Sequence, residues 1–185
     1  MQSKSISKDK QTQSGRLSKR QIVFLVWSIL FAVMIFCFSA RTGVESTGDS
    51  YTVGMEFGRL VHSDFKDWTE NAQLAFAEKV DHPIRKLAHA TEYAVFAMLL
   101  CGVWLDARRK RRRSVVCAWG TATVYAMTDE FHQLFVPGRS GQVKDVLLDS
   151  CGAAVGVLIL MLVMLLIRVF CRKQDGGTDK QTSSR

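Results

Sequence analysis

A chain of 185 residues suits one domain, and although its 48% hydrophobic share resembles that of a globular protein, the apolar residues come in blocks with the charges between them. The net charge of +8 is just as uneven: seventeen of the 25 Lys and Arg lie in residues 1–20, 106–113 and 168–185, whereas thirteen of the 17 Asp and Glu lie between those segments. This is the positive-inside pattern of a membrane protein with its basic segments cytoplasmic, and it argues against nucleic acid as a partner.

Residues 1–20 are polar and without periodicity, and read as a disordered basic cytoplasmic tail. From Ile22 to Ala40 there is no charge. At 1.5 Å per residue, about twenty apolar residues cross a hydrocarbon core of roughly 30 Å, so a first spanning helix is expected over about 21–40. The run is longer than the apolar region of a signal peptide, and Phe38-Ser39-Ala40 makes a weak cleavage site, so the helix should be retained and lead outward.

Residues 41–83 form the longest connection. Gly43, Gly48 and Gly54, with Ser46, Thr47 and Ser50, predict a loop at its start. Further on, Val53, Phe57, Leu60, Val61 and Phe65 recur at helical spacing, as do Trp68, Ala72, Ala75, Phe76 and Val80. Two short amphipathic helices are expected, either on the outer membrane surface with Trp68 as an interfacial anchor or packed over the bundle. Asp81-His82-Pro83 should then start the second spanning helix, with Pro83 at or near its first position, running over about 84–105 into an arginine-rich loop. A third helix over about 114–135 leads outward to the turn signal Pro137-Gly138. A fourth, about 145–170, returns inward, and residues 171–185 read as a second disordered tail. The expected architecture is all-α: an integral membrane bundle of four transmembrane helices over 21–170, with both termini cytoplasmic. Cys37, Cys101, Cys117, Cys151 and Cys171 sit in or beside apolar runs without metal-ligand spacing, and read as packing residues.

With that topology, the ionisable residues inside the spans, except the flanking Asp106 and Arg168, collect at the outer ends of three helices. At 100° per residue, Lys86, His89 and Tyr93 share an arc, with Glu92 beside it. Glu130 and Gln133 share a face of the third helix, and Asp129 and His132 a neighbouring one. Asp145, Asp149, Gly152 and Gly156 share an arc of the fourth, where Gly152-x-x-x-Gly156 makes a small-residue seam for close helix approach. Charges facing lipid at this depth would be costly, so the three polar stripes are expected to face one another as a functional site.

The run Arg85-Lys86-Leu87-Ala88-His89-Ala90-Thr91-Glu92-Tyr93, then Asp129-Glu130-x-x-Gln133-x-Phe135-x-Pro137-Gly138-Arg139, then Asp145-x-x-x-Asp149 with Gly152 and Gly156, resembles the VanZ-like family of bacterial membrane proteins. The resemblance covers roughly residues 21–170. It implies a protein of the bacterial plasma membrane, associated with susceptibility to glycopeptides of the teicoplanin type, with Lys86, His89, Tyr93, Glu130, Gln133, Arg139 and Asp145 at the family's polar positions. Asp149 departs from it, since similar proteins often carry Asn there.

Chemically, Lys86, Arg139 and Lys144 can grip a phosphate or carboxylate. Glu130, Asp145 and Asp149 can balance those cations, hold a divalent metal, or act as acid and base, and His89 can shuttle a proton. Buried ion pairs can also knit helix ends together with no ligand at all. The favoured reading is a binding protein for membrane lipids, a lipid-linked cell-wall precursor or a glycopeptide, using Lys86, His89, Tyr93, Glu130, Gln133, Arg139, Asp145 and Asp149. The alternative is an intramembrane hydrolase or transferase acting on lipid-linked phosphate through His89, Glu130 and Asp145. No P-loop, HExxH or Ser-His-Asp order is present, and no cofactor is expected. A transporter is disfavoured because the cytoplasmic halves of the helices are apolar.

Overall fold

The computed structural model describes residues 17–105 and 110–182, which are helical almost throughout and contain no strand. The elements are α1 (Lys19–Ser39), α2 (Gly43–Val61), a single 3-10 turn (Phe65–Asp67), α3 (Glu70–Trp104), α4 (Arg111–Gln133) and α5 (Val143–Thr182).

α1 begins with a capping box. The Ser18 hydroxyl accepts from the Gln21 N–H, and the Gln21 side chain accepts from the Ser18 N–H, satisfying two of the donors that a helix start leaves open. Lys19 and Arg20 are thus helical, whereas the expected tail included them; the rest of that tail, residues 1–16, lies outside the described residues. Outward-facing Val26, Trp27, Leu30 and Val33 are half exposed, as suits a helix against lipid.

The connection 41–83 departs most from expectation. Gly43 begins a 19-residue helix, not a loop. Two of its glycines serve close approach: a Cβ at Gly54 would crowd Ala77 of α3, and one at Gly58 would strike the Phe65 ring, whereas Gly48 faces open space. Nor does α3 start near Pro83. It starts at Glu70, where the Thr69 hydroxyl caps Ala72 N–H, and it runs for 35 residues with Pro83 inside it. A proline there removes one backbone hydrogen bond. The offsetting interactions are the Arg85–Asp81 ion pair, 2.7 Å across the proline, and the packing of residues 70–80 on α2. The second expected amphipathic helix and the second expected span are one continuous rod. Where α2 turns into α3, Phe57, His62, Phe65, Trp68 and Phe76 form an aromatic cluster with ring centroids 5.1 to 6.5 Å apart, in which Trp68 and His62 remain partly exposed.

α4 starts at Arg111, three residues before expectation, and ends at Gln133, two before it. α5 starts at Val143 and continues to Thr182, through residues expected to be a disordered tail. Its packing on α3 is parallel and very close: a Cβ at Gly152 would fall on the Ala90 carbonyl, and one at Gly156 on the Ala94 carbonyl. α4 lies antiparallel to α5, with Trp119 Nε1 donating to the Ser150 carbonyl at 3.1 Å and Thr123 bonded to Ser150 at 2.9 Å. The stripe Ala118, Ala122 and Ala126, fully buried, lets α4 sit close to its neighbours. α1 runs parallel to α4, with the Tyr125 hydroxyl donating to the Ala32 carbonyl at 2.6 Å. It runs antiparallel to α3, since Gln21 and Arg20 at its start bond to the carbonyls of Val103 and Leu105. The up-down-up-down order places a small-residue core around Tyr93, Phe96, Ala97 and Ile35.

Three of these helices are long and apolar enough to cross a membrane: Lys19–Ser39, Glu70–Trp104 and the Val143–Arg172 part of α5. Four spans were expected. α4 falls short because its first turn carries Arg111, Arg112 and Arg113 and its last carries Asp129, Glu130 and His132.

Candidate functional site

At the end of the bundle where α1 and α4 finish and α5 begins, polar side chains from three helices and one turn come together. α3 supplies Arg85, Lys86, His89, Glu92 and Tyr93; the last turn of α4 supplies Asp129, Glu130 and Gln133; the first two turns of α5 supply Asp145 and Asp149. The turn 134–142 closes the arrangement. Its Gly138 has φ +74°, the left-handed conformation that glycine adopts without strain. The turn is docked on the start of α2, since Gly43 N–H donates to the Pro137 carbonyl at 3.1 Å and a Cβ on Gly43 would collide with the Gly138 carbonyl.

That docking aims Arg139. Its guanidinium donates to the carbonyls of Arg41 at 3.2 Å and Phe38 at 3.4 Å, at the C-terminal end of α1, where unpaired carbonyls and the helix dipole favour a cation. Burial first, then the neighbouring Arg85 charge, lower the Arg139 pKa, partly offset by Asp129 and Glu130. Asp129 does not pair with it: its Oδ2 accepts from Gln133 at 3.3 Å, and among the described residues no carboxylate lies within ion-pair distance of Arg139.

The remaining partners are specific. Lys86 is ion-paired with Asp145, tying α3 to α5 near the N-terminus of the latter, where the helix dipole favours a carboxylate. Glu130, 6% exposed, accepts from the Gln142 backbone N–H at 3.0 Å and from the Gln133 side-chain amide at 3.4 Å. His89 Nδ1 lies 3.8 Å from Glu92, beyond hydrogen-bond reach, and is otherwise unpartnered. Asp149 is 1% exposed, and neither of its carboxylate oxygens has a partner among the described residues.

These groups surround a cavity of about 130 Å³ lined by Lys86, His89, Glu130, Gln133, Arg139, Asp145 and Asp149, seven of the eight residues expected at the site. Tyr93, the eighth, is not in the lining. It is wholly buried in the core against Phe96 and Tyr125, with its hydroxyl unpartnered. Lys144, a candidate anion ligand, is exposed and also absent from the lining. His132 packs its ring 4.5 Å from Phe36, as a residue of the helix interface. Sequence reasoning missed Arg85 and Gln142. Arg85 is four residues before His89, so the helical spacing that found His89 also pointed to it. Gln142 contributes through a turn whose path no periodicity reveals.

A second cavity, of about 170 Å³, lies alongside. Arg85, His89 and Arg139 line both, but the second is bounded by Phe38, Val53, Ile84 and Ala88 and is predominantly apolar. Among the described residues, no group of three or more His, Cys, Asp and Glu is placed to hold a metal ion.

Comparison with known proteins identifies the framework. The family model described as VanZ/LLP1 matches residues 24–167, which include all the helices around the cavity. The chain belongs to this family, the VanZ-like family that its polar motifs resemble, and with three membrane-length apolar helices it is a membrane protein. No curated protein and no solved structure matches it.

Proposed function

Taking membership of the VanZ/LLP1 family as the premise, we propose that this is a cell-envelope protein of the bacterial plasma membrane whose cavity binds the anionic headgroup of a lipid or lipid-linked cell-wall precursor, and that this binding alters susceptibility to glycopeptides of the teicoplanin type. All four long rods cross the bilayer in this reading, α4 included, because its polar residues sit at its two ends. Both termini are cytoplasmic and the cavity opens at the outer leaflet, as the basic residues at the opposite end of the bundle favour.

The observation that carries the reading is Arg139. A half-buried guanidinium held, among the described residues, by backbone carbonyls alone, on the wall of a cavity, keeps its positive charge available to a phosphate or carboxylate. Catalysis has less support. Of the three groups an acid–base mechanism would use, Asp145 is engaged by Lys86, and Glu130 by Gln133 and Gln142.

The test is teicoplanin susceptibility in a sensitive bacterial host expressing the protein, with membrane levels of each variant measured in parallel. Arg139→Ala and Glu130→Gln should return the host to full sensitivity at unchanged membrane levels. Retention of the wild-type response in both would reject the reading. Release of phosphate from lipid-linked pyrophosphates, lost in His89→Ala, would favour the enzyme instead.

A further inference from the structure

Besides its histidines, the Arg139 cavity is lined by six charged side chains: Arg85, Lys86, Arg139, Glu130, Asp145 and Asp149. Four have partners within the protein. Arg85 is paired with Asp81, Lys86 with Asp145, and Glu130 takes hydrogen bonds from Gln133 and Gln142. Among the described residues two are left over, one of each sign. Arg139 has only backbone carbonyls, and Asp149, almost completely buried, has nothing on either oxygen. Burying a carboxylate without a hydrogen-bond donor is costly, so a donor is expected to arrive with the ligand. A simple anion cannot supply it. A cation alone would leave Arg139 unmatched.

Resting on the reading above that Arg139 takes the anionic group of a headgroup, we infer that the ligand is a zwitterionic lipid headgroup whose phosphate is taken by Arg139 and whose protonated primary amine is taken by Asp149. A primary ammonium has three N–H donors for the two unpartnered carboxylate oxygens, whereas a quaternary ammonium has none. A cavity needs about 10–15 Å³ of such space to hold one water, so 130 Å³ accommodates a headgroup of several heavy atoms. The lipid source follows from the adjoining cavity. The side chains of Arg85, His89 and Arg139 form a wall common to both spaces, and Phe38, Val53, Ile84 and Ala88 beyond it offer an apolar surface for an acyl chain.

The test is a titration of the purified full-length protein in detergent with dihexanoyl phosphatidylethanolamine, dihexanoyl phosphatidylglycerol and soluble phosphoethanolamine. The wild type should bind the phosphatidylethanolamine about tenfold more tightly than the phosphatidylglycerol, the scale of one charge-assisted hydrogen bond. Asp149→Asn should remove that preference, and Arg139→Gln should weaken both lipids. Equal affinity for the two lipids on the wild type, or a preference that survives Asp149→Asn, would overturn the inference and leave the anionic-headgroup reading intact if Arg139→Gln still weakens both. Equal binding of soluble phosphoethanolamine would overturn the lipid as the source. Failure of the wild type to bind either lipid would overturn both readings. The comparison among ligands is made on the unaltered protein, so it does not depend on any variant folding.

Discussion

Lys86 and Asp145 are 59 residues apart in the chain and ion-paired in the fold, at the rim of the cavity. Their side chains keep 30% and 21% of their exposure, so neither pays the full cost of leaving water, and the pair serves as a clamp between α3 and α5. Removing one partner leaves the other partly buried and uncompensated. Lys86→Met should therefore destabilise the protein by about 1–3 kcal/mol, less than the 3–5 kcal/mol typical of a fully buried pair. Lys86→Met combined with Asp145→Leu should regain most of that loss, because no lone charge remains. Apparent melting temperatures in detergent decide the point, and a double variant as unstable as the two single losses added together would show that the residues are not coupled. Helical angles made Lys86, His89, Glu130, Gln133, Asp145 and Asp149 legible in the sequence as members of one cluster. They left open which carboxylate each cation would choose, since that depends on the rotation and height of helices relative to one another. Tyr93 shares the α3 arc of Lys86 and His89, with its ring packed in the core beside the cavity and outside its lining.

At the scale of elements, hydrophobic blocks of membrane length identified α1, α3 and α5, because nothing else in a protein of this size needs such runs. Glycine and proline misled where tertiary contacts decide. Gly43 and Gly54 look like loop residues, yet a Cβ on Gly43 would collide with the Gly138 carbonyl and one on Gly54 would crowd Ala77. Pro83 looks like a helix start, yet the helix passes through it, held on one side by contacts with α2 and across it by Asp81 and Arg85. The glycine seam on α5 was legible, since Gly152 and Gly156 recur at the spacing of one helical face. Their contact with the Ala90 and Ala94 carbonyls makes the α3–α5 crossing sensitive to a single methyl group. Gly152→Ala should push the helices apart and cost about 1–3 kcal/mol by overpacking. It should also lower the affinity of the cavity for its ligand, because Asp149 lies one turn away on the same helix. A Gly152→Ala protein with unchanged melting temperature would mean that the two helices are looser than this contact implies.

For the whole molecule, charge and polarity are divided between two ends. Lys19, Arg20, Lys110 and Arg111–Arg113 gather at the starts of α1 and α4, where the helix dipole disfavours cations, so membrane orientation is the better reason for their position. The polar cavity is at the opposite end. In a cysteine-free background, Lys144→Cys should react with a membrane-impermeant maleimide in intact cells, and Lys110→Cys only after lysis; the reverse pattern would put the cavity on the cytoplasmic side. Residues 1–16, 106–109 and 183–185 lie outside the described residues; in the rest of the expected tails and of the expected arginine-rich loop over 106–113, Lys19, Arg20, Arg111–Arg113 and residues 171–182 prove helical. The central claim is that Arg139 holds an anionic headgroup in this cavity, and its most direct test is native mass spectrometry of the protein purified in mild detergent. The wild type is expected to retain one lipid that survives gentle activation, and Arg139→Ala to lose it while remaining folded. The same tightly held lipid on both proteins, or none on the wild type, would contradict the claim.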